Sequence, residues 1–136
     1  MRRLRAASPY LLAATLTTTG LLHLLAPRTF DGLIPSWLPG EARLWTYGSG
    51  VLELLCAGGM FVPRSRRVAA TATAGLFVAV FPGNLEMAVH PGGLPRWLAL
   101  ARLPLQIPLV LWALQVRRVS TDVAQPGSAD RVGSAG

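Results

Sequence analysis

The stretch Leu44–Val62, LWTYGSGVLELLCAGGMFV, is nineteen mostly apolar residues interrupted by one carboxylate, Glu53. A helix needs about 20 such residues to cross the hydrocarbon core of a bilayer. A charge near its middle costs about 3 kcal/mol on insertion scales. The stretch therefore reads as a membrane helix whose acid has either a partner or a task.

Composition points the same way. A chain of 136 residues has room for one domain. With 51% hydrophobic residues and a mean hydropathy of +0.43, it is more apolar than a soluble domain of that size. The thirteen basic residues are all arginine and face six acidic ones, giving a net charge of +7 and a pI near 11.5. In a soluble chain that balance would suggest nucleic acid. Here the arginines sit at the ends of apolar segments, where they set orientation and meet phospholipid headgroups. The expected partner is the lipid bilayer, not nucleic acid. Cys56 is the only cysteine, which excludes an intrachain disulfide and a C-x-x-C relay. Its apolar neighbours mark it as a core residue, not a reactive thiol.

Four spans are predicted, at about 7–26, 44–62, 68–89 and 97–116, within one domain of residues 1–118. A Gly/Ser/Ala/Asp tail, 119–136, is expected to be disordered. Ala6–Ala26 follows Arg2, Arg3 and Arg5, and is longer than the 7–15-residue core of a signal peptide, so it is read as a retained helix. Along it Thr15, Thr19 and His23 recur every four residues and share a face. That face either meets neighbouring helices or carries threonines bonded back to their own helix. Residues 27–43 are broken by Pro27, Pro35 and Pro39 yet carry Phe30 and Trp37, as a loop at the membrane interface would. In the third span, Thr71 with Gly75 and Ala70 with Ala74 have the small-x-x-x-small spacing of close helix contacts. Pro82-Gly83 breaks or kinks that span, with Asn84 placed to satisfy the freed backbone. Pro104 and Pro108 bend the fourth. The fold class is thus all-α: an integral membrane four-helix bundle with kinked helices 3 and 4. Nine arginines fall at the N-terminus, the 63–67 turn and the tail, against four (Arg28, Arg43, Arg96, Arg102) in the opposite loops. The positive-inside rule then makes both termini cytoplasmic.

Counting at about 1.5 Å per residue puts His23, Glu53, Asn84, Arg102 and Gln106 at one depth, in the outer half of the bundle. Arg102 and Gln106 are four apart and face the same way, so Arg102 is expected to neutralise Glu53, with Gln106 and Asn84 completing the hydrogen bonding. These five are the candidate ligand-binding residues. A buried ion pair that only fixes which helices are neighbours would select the same residues. Glu86 is two residues from Asn84, points elsewhere on a helix, and is expected at the outer interface. His90 opens a turn over 90–95, and axial haem ligation by His23 with His90 is a minor alternative. No metal-ligand spacing, phosphate loop or nucleophile motif is present in the sequence.

The chain resembles the DoxX family of small bacterial four-helix membrane proteins. The resemblance rests on Gly20-Leu-Leu-His23, Pro27, Phe30 and Ile34-Pro-Ser-Trp-Leu-Pro39; on Ser49-Gly50-Val-Leu-Glu53; on Pro63-Arg64; on Phe81-Pro82-Gly83-Asn84 with Met87-Ala88; and on Arg102-Leu-Pro-Leu-Gln106. These run in order over nearly all of residues 7–116. Where Gly83 stands, the family more often has alanine. The resemblance implies four spans in a bacterial plasma membrane, and carries His23, Glu53, Asn84, Arg102 and Gln106 forward as site residues. Relatives are associated with thiosulfate:quinone oxidoreduction or with oxidative-stress complexes, although this chain lacks paired cysteines. The expectation is a redox-associated subunit that binds a quinone or another small lipophilic ligand at an outward-facing polar cluster. It would act beside a membrane redox partner or as a homo-oligomer. The alternatives are a structural or assembly partner without a ligand, and a small oligomeric transporter.

Overall fold

Prolines and glycines decide where the helices begin and end. The computed structural model describes residues 2–90 and 95–124, the side chains of 2–5, 98 and 121–124 excepted. Among the described residues there are six helices and no strand: α1 (Arg2–Leu25), α2 (Pro27–Asp31), α3 (Ala42–Phe61), α4 (Arg66–Ala79), α5 (Phe81–Val89) and α6 (Arg96–Ala124). Pro27 opens α2, where a missing N–H is harmless. Gly40, at φ 90°, turns the chain into α3 in a conformation that suits glycine. Pro63 pushes Val62 into an extended conformation and ends α3.

Two sequence expectations, a loop over residues 27–43 and a last helix ending near 116, need correction. Residues 27–31 form a helical turn inside what was expected to be a loop. The break expected at Pro82-Gly83 in the third span is present: α4 and α5 are separated at Val80, because Pro82 cannot donate its share of the helix ladder. The last helix does not stop near 116 but continues to Ala124, with no proline or glycine to end it and Ser120 Oγ donating back to Val116 O at 2.8 Å. Helix α6 also runs unbroken through Pro104 and Pro108. Residues 91–94 of the expected turn and 125–136 of the expected tail lie outside the described residues.

Among the described residues two stretches are long and apolar enough to cross a membrane: Arg66–Val89, which spans α4 and α5, and Ala99–Ser120 within α6. Helices α1 and α3, of 24 and 20 residues, have the length but carry more polar side chains, including the threonines of α1 and Arg43 and Glu53 of α3.

Helix α1 packs along α3, α4 along α6, and α3 against α4, while α5 lies on α6. The α1–α3 contact is tight at Gly20 and Gly50. A Cβ on Gly50 would fall 2.8 Å from His23 Cβ and 3.0 Å from Gly20 O. Gly75, the glycine that the small-residue spacing singled out, instead faces open space. The buried core is small-residue-rich and gathers at one end of the bundle: Leu12, Ala13 and Leu16 of α1, Cys56, Ala57 and Met60 of α3, Ala69, Ala70 and Ala74 of α4, and Ala113 and Val116 of α6. Arg66 fastens that end, donating from Nε to Met60 O at 2.7 Å while its guanidinium lies 5.3 Å from the Tyr10 ring.

Candidate ligand-binding cavity

Where the core ends, the helices diverge around a cavity of about 520 Å³, a size usual for small-molecule sites. His23, Glu53, Asn84, Arg102 and Gln106 all line it. Most of the rest of the wall is apolar, including Leu16, Leu52, Leu76, Phe77, Leu105 and Leu109. The segment after α1 closes one side with Phe30, Leu33, Ile34, Pro35, Trp37 and Leu38.

That segment is held by its own polar contacts. Asp31 Oδ2 accepts from Arg43 Nε at 2.9 Å and Nη2 at 2.7 Å, and Asp31 Oδ1 accepts from Thr46 Oγ1 at 2.8 Å. Hydrogen bonding from Arg43 holds the Asp31 carboxyl below its usual range. Trp45 Nε1 donates to Pro39 O at 2.9 Å. Gly83 sits under the same segment, with Leu33 O 3.2 Å from where a Cβ would be, so a side chain here would press on the strap.

Glu53 is buried, and its charge is met from α1, not from α6. Thr19 Oγ1 hydrogen-bonds to Glu53 Oε2, and His23 Nδ1 lies 3.8 Å from Oε1. The expected Glu53–Arg102 pair does not form: the guanidinium instead directs Nη1 to Met87 Sδ at 3.9 Å, a weak acceptor. The reason is rotational. Both residues line the cavity, but Glu53 turns toward α1, which packs tightly on α3 one turn away at Gly50. His23 Nδ1 is also 2.8 Å from Thr19 O. A carbonyl can only accept, so Nδ1 carries a proton, and in the neutral ring Nε2 holds the lone pair. Phe30 stacks on the imidazole at 3.8 Å between ring centres.

On the opposite wall Asn84 Nδ2 donates to Gln106 Oε1 at 2.9 Å, and Gln106 Nε2 donates to Phe77 O. The amide that reaches the main chain before the α4–α5 break is therefore Gln106's, and Asn84 orients it. Glu86 pairs with His90 at 3.1 Å on α5, and neither lines the cavity, so His23 and His90 do not converge on a shared ligand.

Residues 12–117 match the family model described as Domain of unknown function (DUF8561). The chain belongs to the DUF8561 family. No curated protein and no solved structure matches it. In this DUF8561 protein all five expected site residues fall inside the matched region and on one cavity. The sequence reading missed the part played by Thr19 and by the strap residues Phe30 and Ile34. The four-residue recurrence of Thr15, Thr19 and His23 was the available signal for Thr19. Nothing in the pattern of 27–43 indicated a cavity wall.

Proposed function

We propose that this DUF8561 protein is a four-span membrane protein, both termini cytoplasmic, that binds a quinone or a similar small lipophilic molecule with a polar head in its cavity. It would act as an accessory subunit of a membrane oxidoreductase. The observation that carries the ligand reading is the cavity itself: mostly apolar walls with hydrogen-bonding side chains from α1, α3, α5 and α6. Among the described residues Arg102 Nη1 meets a thioether, and the guanidinium retains donors for a ligand carbonyl. His23 Nε2 offers the complementary acceptor, while Asn84 and Gln106 satisfy one another and hold the wall.

The four-span reading extends from the two apolar stretches to α1 and α3 because of what those helices leave exposed. Leu25 is 79% exposed and Leu44 and Leu55 are each 67% exposed. Exposed leucine of that extent is a liability in water and ordinary in lipid. The redox assignment rests on the DoxX resemblance of the same residues.

The test is a titration of purified protein with a decyl-substituted benzoquinone, read by quenching of tryptophan fluorescence, since Trp37 and Trp45 line the cavity. Arg102→Ala and Glu53→Gln should each weaken binding about tenfold, equivalent to about 1.4 kcal/mol. Binding of both variants as tight as wild type would remove the site. A ligand-free assembly role is the second reading, favoured by the closed Asn84–Gln106–Phe77 chain of hydrogen bonds. It predicts that a Glu53→Leu/Arg102→Leu double variant keeps its cellular phenotype.

A further inference from the structure

A second hollow shares part of its wall with the cavity. It is an open groove of about 490 Å³ along the seam of α1 and α6, lined by Leu11, Ala14, Thr15, Thr18, Thr19 and Trp112. Thr15 and Thr19 line both hollows, so the two share that stretch of α1 as a wall. Helix α1 touches α6 far more sparsely than it touches α3, which leaves the seam open. Trp112 Nε1 donates to Ser8 Oγ at 2.8 Å and closes its far end. From His23 to Leu11 the seam is about 18 Å long at 1.5 Å per residue.

Threonines would ordinarily make such a groove polar. Here Thr15 Oγ1 donates to Leu11 O and Thr18 Oγ1 to Ala14 O, each at 3.0 Å, and so those hydroxyl protons are taken by the helix. The wall offers hydrocarbon and a tryptophan ring to whatever lies in it.

We infer that the α1–α6 groove holds the hydrocarbon tail of the ligand whose polar head occupies the cavity, which makes that ligand a long-chain amphiphile. The inference rests on the ligand-binding reading above. The head meets Arg102 and His23 at one end of the seam, and the tail runs down it toward Trp112.

Two probes separate head from tail: a dimethoxy-methyl-benzoquinone without a side chain, and the same head with a decyl chain. Ala14→Trp and Thr18→Leu narrow the groove, and Leu55→Trp is an exposed control on α3. The groove variants should weaken the decyl probe about tenfold and leave the tailless probe unchanged, with Leu55→Trp affecting neither. A decyl probe bearing a diazirine at the chain end should label wild type within residues 11–19 or at Trp112. If neither probe binds wild type, the head site fails and the inference with it. If the tailless probe binds but the decyl probe ignores both groove variants, or labels only other segments, the tail route alone is wrong. Should Ala14→Trp not fold, Thr18→Leu and the wild-type labelling decide.

Discussion

The carboxylate of Glu53 is answered by one hydroxyl and one imidazole, both from α1. Hydrogen bonds between membrane helices average about 0.6 kcal/mol and reach about 1.7, less than buried charged bonds in soluble cores, because the unfolded chain in lipid also finds partners. Thr19→Val should therefore lower stability by about 1 kcal/mol in a detergent melt, with Thr19→Ser close to wild type. Arg102 is the contrast. Its contact is a thioether sulfur at 3.9 Å, so Arg102→Leu should leave thermal stability within about 0.5 kcal/mol of wild type while weakening the probe binding proposed above about tenfold. That His23, Glu53, Asn84, Arg102 and Gln106 gather on one cavity was legible, because a polar side chain in an apolar run is costly and depth can be counted along a helix. Which of them touch was not, because partnership depends on rotation about each helix axis. Glu53 and Arg102 share a level yet turn to different neighbours.

The α1–α3 pair is set by Gly20 and Gly50, whose backbones nearly touch. Gly50→Val would drive a side chain into His23 Cβ and Gly20 O. Overpacking of this kind costs about 1–3 kcal/mol, and here it should also weaken probe binding by displacing the imidazole. On the other pair, Gln106 ties α6 to the carbonyl of Phe77 at the end of α4. Gln106→Leu should destabilise by about 1 kcal/mol, and a double-mutant cycle with Asn84→Ala should show coupling, measured by chemical denaturation. Four long helical regions were legible from hydropathy, since prolines and glycines punctuate them. The short α2 and the extension of α6 to Ala124 were not. A single helical turn leaves no periodicity, and a polar helix end looks like a linker. The Gly20–Gly50 crossing was equally hidden, because glycine spacing along one helix does not say which other helix comes near.

Across the whole molecule the two ends are fastened differently. Arg66 ties the packed end, and Asp31 with Arg43 and Thr46 ties the strap over the hollow end. Because the folded Asp31 carboxyl titrates below its unfolded value, the strap contact is at full strength above about pH 4 and weakens as pH falls through the lowered folded value. Trp37 and Trp45 emission should shift in that acid window in wild type and not in Asp31→Asn. The alanine-lined end is dense and the opposite end surrounds the cavity. Hydrostatic pressure favours states that eliminate internal voids, so compression should loosen the molecule from one end only. Amide hydrogens of α5 would exchange with solvent well before those of the first turns of α4, and a tightly bound occupant would erase the difference.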